Sequence, residues 1–106
     1  MIMANPFAGE VTLSIDGRAH VLRLTLGALA ELETAMGTDT ILALVERFEG
    51  GQFSSRDVLA LVVAGLRGGG WQGSAADLLS AEIDGGLQGA ARVAASLLAQ
   101  AFTPPP

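Results

Sequence analysis

Few residues in this chain could do chemistry, and their spacing does not bring them together. His20 is the only histidine, and a catalytic histidine needs a nucleophile or an orienting carboxylate nearby. The pattern around it places His20 near a hairpin tip beside Arg18, so we interpret it as a solvated strand residue. The chain has no cysteine, which excludes disulfides and thiolate metal ligands. A metal site would therefore depend mainly on oxygen ligands.

The carboxylates offer no acid–base pair. Glu31 and Glu33 are two positions apart and point to different sides of a helix. Glu46 and Glu49 share a face that, with Arg47, is typical of a solvent-exposed helix surface. Acid–base catalysis needs carboxylates held in unlike, partly buried environments. We therefore predict no catalytic residues, no metal site and no cofactor, and expect that the protein is not an enzyme.

Two glycine-rich segments could suggest ligand loops. Gly68-Gly69-Gly70 lacks the lysine of a phosphate-binding loop, since the chain contains no lysine, and it follows a predicted helix instead of a strand. We interpret it as a flexible break between helices. Asp84-Gly85-Gly86 lacks the spacing of a calcium loop and is predicted to be a turn.

The charge distribution argues against nucleic acid and membrane partners. The net charge is −5, and the six basic residues are scattered arginines that form no stripe for a phosphate backbone. The longest apolar stretch, Val58 to Leu66, is far shorter than the roughly 20 residues of a membrane span.

A β-hairpin is predicted near the start of the chain. Apolar and polar residues alternate from Val11 to Ile15, and Asp16-Gly17 is a strong signal for a two-residue turn. This turn pairs Val11 with Leu22 and places Glu10 opposite Arg23. One apolar face is then available to pack against helices.

About five helices are predicted after the hairpin. Thr25 is placed to cap the first, and Ser54 with Asp57 and Ser74 with Asp77 form capping boxes before the third and fourth. The third helix is apolar nearly all round and should be the most buried element. The predicted ranges are 26–36, about 38 or 39 to 49, 55–67, 75–83 and 87–102.

These elements indicate an α+β fold in which an N-terminal hairpin is followed by a small helical bundle. The 106 residues correspond to a single domain. Its predicted parts are an N-terminal arm (1–8), the hairpin (9–25), the helical part (26–102) and a C-terminal tail (103–106).

Trp71 is the one large aromatic residue with two open interpretations. It lies in a glycine-flanked loop and could fold back to cap the core, or it could anchor a partner, since tryptophan is enriched in interface hot spots. Phe53 is expected to contribute to the core with Phe48 and Phe102. The candidate partner-binding residues are Trp71, Arg67, Leu66 and Phe53.

Several segments together resemble a known family. They are Ala4-Asn5-Pro6, Gly9-Glu10-Val11, the stretch from Leu24 to Glu33, the stretch from Arg47 to Phe53 and the stretch from Ala64 to Gly70. Across nearly its whole length the chain resembles the gene transfer agent family of small phage-tail proteins, found in alphaproteobacteria and related prophages. The shared motifs are structural and name no active residue.

The resemblance implies a part in building the tail of a phage-like particle. Two roles are implied: a tail assembly chaperone that binds the tape measure protein, or a structural tube or adaptor subunit. We expect the chaperone role, because one hairpin is little sheet for a tube wall and apolar helix faces suit a helical guest. The expected partners are the tape measure protein, other tail proteins or further copies of the chain. The expected location is the cytoplasm, where particles assemble, or the particle tail.

Overall fold

The fold is a two-stranded hairpin followed by five helices among the described residues. A computed structural model describes residues 9–36 and 41–102, so the predicted arm, the tail and the start of the second helix lie outside them. The α+β prediction is confirmed. The elements are β1 (Glu10–Ile15), β2 (Arg18–Arg23), α1 (Leu26–Met36), α2 (Ile41–Glu49), α3 (Ser55–Gly68), α4 (Ala75–Leu78) and α5 (Gly86–Phe102).

The hairpin has the predicted turn and register. Asp16 and Gly17 both have positive φ, and Glu10 pairs with Arg23 at the open end. The interpretation of His20 as solvated is wrong. His20 lies opposite Leu13, and directly opposed residues of an antiparallel pair point to the same side, so His20 is half-buried beside the core.

A short segment after α4 extends the hairpin. Ile83 forms a bridge with Ile15, the Asp16 N–H donates to the Glu82 carbonyl at 2.8 Å, and the Glu82 N–H donates to the Asp16 carboxylate at 2.9 Å. The prediction of a helix up to Ile83 is therefore wrong. α4 ends at Leu78, a turn follows in which the Ala81 N–H donates to the Leu78 carbonyl, and residues 82–84 then pair with the hairpin instead of continuing a helix.

The central helix is α3, as predicted. It packs against β2, α1, α4 and α5, and its buried residues include Leu61, Val62 and Leu66. Its capping box is formed: the Asp57 N–H donates to the Ser54 hydroxyl, and the Ser54 N–H donates to the Asp57 carboxylate.

Glycines let the end of α3 approach β2 closely. A Cβ at Gly68 would overlap the Arg23 carbonyl, and one at Gly69 would overlap the Val21 carbonyl. A Cβ at Gly65 would lie 2.7 Å from Leu97. The interpretation of Gly68-Gly69-Gly70 as a flexible break is wrong for its first two members, because they form a tight contact with the outer edge of β2. We call Gly65, Gly68 and Gly69 the glycine seam.

Side chains attach α2 to the rest of the fold. Leu44 is fully buried in a cluster with residues of α1, α3 and α5, and Phe48 stacks on Phe53 with ring centroids 4.4 Å apart. Arg47 was expected on the solvent-exposed face, but it is half-buried and donates to both carboxylate oxygens of Asp57 at 3.1 and 3.0 Å.

The buried core forms two clusters: one takes its buried residues from β1, β2, α3, α4 and α5, and the other from α1, α2, α3 and α5. The expectation that Phe102 contributes to the core is wrong, since its side chain is 54% exposed at the end of α5. Leu87, in the first turn of the same helix, is 63% exposed.

Candidate interaction site around Trp71

Arg67 ties three segments of the chain together. It lies in the last turn of α3, and its guanidinium donates to the Glu31 carboxylate of α1 at 2.9 Å. It also donates to the Gly73 carbonyl, at 3.2 Å, in the loop that follows α3. The loop that carries Trp71 is thus fixed to the surface of α1 and α3.

The Trp71 side chain folds over its own loop. A Cβ at Gly73 would overlap the indole ring, so only glycine permits this arrangement. The backbone N–H of Trp71 donates to the Leu66 carbonyl at 2.9 Å. The indole ring packs at the edge of the core and is half-buried. Trp71 therefore covers part of the core and still presents ring surface to solvent, so both interpretations of this residue have a physical basis here.

A shallow groove lies between the start of α1 and this loop. Its volume is about 350 Å³, and its lining is mostly polar. It combines the ring of Trp71 with the charges of Arg67 and Glu31, a mixture typical of protein-binding surfaces more than of enclosed ligand pockets. The lining residues are Thr25, Gly27, Ala28, Glu31, Arg67, Gly68, Trp71 and Gln72.

The other two candidate residues lie elsewhere. Leu66 is completely buried, with no exposed surface, and supports the Trp71 loop through its carbonyl instead of offering a side chain to a partner. Phe53 is half-buried against Phe48, near the opposite end of α3. The structure thus brings Trp71 and Arg67 together and separates them from the side chains of Leu66 and Phe53.

The electrostatics of this site are those of an exposed ion pair. The hydrogen bond and the charge of Glu31 raise the pKa of Arg67 above its already high value. The Arg67 and Glu31 side chains are 43% and 54% exposed, so salt weakens their attraction. Within residues 9–36 and 41–102, no three histidine, cysteine or acidic side chains cluster to hold a metal ion.

Sequence reasoning missed Glu31 and Gly73 as members of this site. Glu31 was considered only as half of an acid–base pair, although its partner is an arginine 36 positions away. No local pattern predicts such a long-range pair. Gly73 did carry a signal, because a glycine two residues after a tryptophan leaves room for the ring to fold back.

A second surface, which is mostly apolar, lies between α2 and α5. It forms an open groove of about 320 Å³, which we call the α2–α5 groove. It is distant from Trp71 in the chain and shares no lining residue with the Trp71 groove. Its lining residues are Val45, Phe48, Glu49, Ala95, Leu98, Ala99 and Phe102.

Comparison with known proteins identifies the family. None of the described helices is long and apolar enough to cross a membrane. No curated protein and no solved structure matches the chain. The model of a family described as phage tail tube protein, GTA-gp10, matches residues 8–103, which include the hairpin and all five described helices. The chain therefore belongs to the phage tail tube protein GTA-gp10 family.

Proposed function

We propose that this protein is a structural subunit of a phage-like tail, in the tube or in an adaptor beside it, within a gene transfer agent or prophage particle. The observation that carries the proposal is the family match over residues 8–103. The description of the family favours this role over the chaperone role expected from the sequence. The proposed role requires no catalysis, and it places the protein in the assembled tail after assembly in the cytoplasm.

The hairpin edges bear on how such a subunit would contact its neighbours. The outer edge of β1 is bonded near its end to residues 82–84, and the outer edge of β2 is covered by Gly68 and Gly69. Strand addition at these edges is thus obstructed. We infer that neighbouring subunits meet through side chains of helices and loops, and not through a continuous sheet.

A second candidate function is a tail assembly chaperone that binds the tape measure protein. The specific observation in its favour is that the sheet formed by residues 9–36 and 41–102 has only two strands, whereas apolar grooves lie between helices. Such grooves are suited to the apolar face of a helical guest.

Mass spectrometry of purified particles separates the two candidates. A structural subunit is expected at a fixed ratio to another tail protein of the same particle, which serves as internal reference. Absence from particles, together with co-elution of the purified protein with tape measure fragments on gel filtration, would instead support the chaperone. Absence from particles without such co-elution would count against both.

The Trp71 loop can be tested within this proposal. We expect Trp71→Ala to weaken binding to neighbouring tail proteins without unfolding the domain, because the ring is only half-buried. Gln88→Ala changes an exposed residue outside the Trp71 groove and serves as the control. A variant that mainly lowers the melting temperature would assign Trp71 to the core.

A further inference from the structure

The α2–α5 groove has an acidic rim. Glu49 forms part of its lining, and Glu46 lies on α2 between the lining residues Val45 and Phe48. Both side chains are exposed, and neither forms an ion pair with any residue in 9–36 or 41–102. An apolar groove with unpaired negative charge at its margin favours an apolar side chain that arrives with a positive charge.

The chain itself carries such a group at another place. Leu26, the first residue of α1, is 85% exposed, more than any other large apolar side chain that the structure describes. Arg23, three positions earlier at the end of β2, is also exposed and has no ion-pair partner in the described part of the chain. We call Leu26 and Arg23 the knob.

The exposure of Leu26 shows that it does not fill the groove of its own chain. Leu26 is 85% exposed, and it is not among the residues that line the α2–α5 groove. The α2 side of the groove lies toward the N-terminal end of α3, where Arg47 is bonded to Asp57, whereas the knob lies at the C-terminal end, where the Arg23 backbone contacts Gly68. The groove and the knob of one chain are thus both open to a second copy.

We propose that a second copy of this chain binds head to tail, with its Leu26 in the α2–α5 groove and its Arg23 beside Glu46 and Glu49. The groove volume of about 320 Å³ accommodates a single apolar side chain. A contact between two different surfaces of identical chains repeats, and it closes into a ring or continues as a helical filament. The proposal rests on the proposed structural role and names the contact between subunits.

The test uses two variants of the full chain, each blocked on one surface. Leu26→Asp removes the knob, and an aspartate in the first turn of α1 is compatible with the helix. Glu46→Arg combined with Glu49→Arg reverses the charge of the groove. Sedimentation velocity over a concentration series should show association of the wild type, and association weakened about tenfold or more in either variant.

An equimolar mixture of the two variants gives the sharpest readout. One variant keeps an intact groove and the other an intact knob, so we expect dimers of one copy of each as the main species. A two-fold symmetric contact would also give a mixed dimer, but its wild type would stop at the dimer, whereas a head-to-tail contact continues to larger species as the concentration rises.

Matched substitutions control for general surface effects. Arg18→Glu changes another exposed arginine of β2, and Leu79→Asp changes a leucine that is 75% exposed but lies outside the α2–α5 groove. Both should associate like the wild type. Thermal melts of every variant establish that it folds, and a groove variant that fails to fold is replaced by Ala95→Arg, which places charge in the groove from an exposed position.

Three results would overturn the inference: a wild type that stays monomeric up to about 1 mM, controls that weaken association as much as the test variants, or a mixture without dimers. The fate of the proposed function is measured separately. If the protein is stoichiometric in particles but associates through other residues, the structural role is supported and the proposed contact is contradicted. If it associates as expected but is missing from particles, the contact is supported and the structural role is contradicted.

Discussion

The hairpin and α2 are attached to the central helix in different ways. The hairpin contacts the C-terminal end of α3 through the glycine seam, where Gly68 and Gly69 meet backbone carbonyls of β2 and Gly65 leaves room for the side chains of Leu22 and Leu97. By contrast, α2 is held by the buried Leu44, by the stacking of Phe48 on Phe53 and by the ion pair between Arg47 and Asp57. The first attachment excludes added atoms, whereas the second depends on particular side chains and on charge.

This difference has consequences for stability. A backbone contact between glycines and carbonyl groups contains no titratable group, so pH and salt should affect it little. The α2 attachment includes a carboxylate whose protonation removes both a helix cap and an ion pair. The two attachments can therefore be weakened separately: a substitution at Gly68 affects the first, and substitutions at Leu44 or Asp57 affect the second.

The largest effect is expected at the glycine seam. In Gly68→Ala, the new methyl group would overlap the Arg23 carbonyl, so the backbone of β2 or α3 has to move. We expect the free energy of unfolding to fall by about 3 kcal/mol, at the upper end for overpacking. Urea denaturation monitored by circular dichroism measures this loss of unfolding free energy.

Gly27→Ala is the matched control for the seam. Gly27 also lies in a helix, but its nearest neighbouring atom would be 3.9 Å from the new Cβ. Alanine should stabilise this helix by roughly 0.5–1 kcal/mol, because glycine loses more conformational freedom on folding. Equal effects of the two substitutions would mean that the seam is not a close contact.

The sequence predicts well those features that short-range rules determine. The Asp16-Gly17 turn, the register of Glu10 with Arg23 and the capping box of Ser54 follow from neighbouring residues, and each is present. Periodicity also identified α3 as the most buried helix. These features need no information about distant parts of the chain.

The missed features depend on contacts between residues far apart in sequence. The pairing of residues 82–84 with the hairpin, which shortens α4, joins segments 66 positions apart at Asp16 and Glu82. The partners of Gly68, Arg47 and Arg67 could not be read from local pattern either, so a tight seam was mistaken for a flexible break. For the candidate site, residue types identified Trp71 and Arg67, but only the structure shows that Glu31 and Gly73 hold them.

Removal of a core side chain should also destabilise the α2 attachment strongly. Leu44→Ala creates a cavity at a fully buried position, and we expect a loss of about 2–3 kcal/mol in unfolding free energy, at the lower end for this substitution. Leu42→Ala changes the exposed leucine of the same helix, 67% exposed, and should stay within about 0.5 kcal/mol of the wild type. Similar losses for both variants would contradict the assignment of Leu44 as the anchor of α2.

Asp57 should give a smaller, pH-dependent effect. Burial alone would raise its pKa, but hydrogen bonds from Ser54 and Arg47 and the charge of Arg47 outweigh burial and hold the pKa below its ordinary value. A carboxyl whose pKa is lowered on folding stabilises the protein above the pKa of the unfolded chain, near 4, and loses this contribution as the pH falls through the folded pKa. Asp57→Asn should therefore cost about 1–2 kcal/mol at pH 7 and progressively less below about pH 4.

Asp77→Asn provides the comparison for Asp57. Asp77 accepts from the Ser74 N–H at 2.8 Å in the same type of capping box, but no arginine is bonded to it in the described part of the chain. Its substitution should cost less than that of Asp57 at pH 7, by about 0.5 kcal/mol or more. Equal losses, measured by urea denaturation at pH 7 and pH 3, would show that Arg47 adds nothing to the attachment of α2.

The smallest effect on stability is expected for Arg67→Ala, because its ion pair with Glu31 is exposed to solvent. The loop should nevertheless change, since Arg67 is the group that holds the Gly73 carbonyl beneath the Trp71 ring. As Trp71 is the only tryptophan, its fluorescence reports directly on this loop, and acrylamide should quench it more efficiently in the variant.

Arg92→Ala removes another exposed arginine and should leave the quenching unchanged. A melting temperature lowered as much as in Asp57→Asn would place Arg67 among the residues that hold the fold together, and unaltered quenching would mean that the ring is fixed by the core alone.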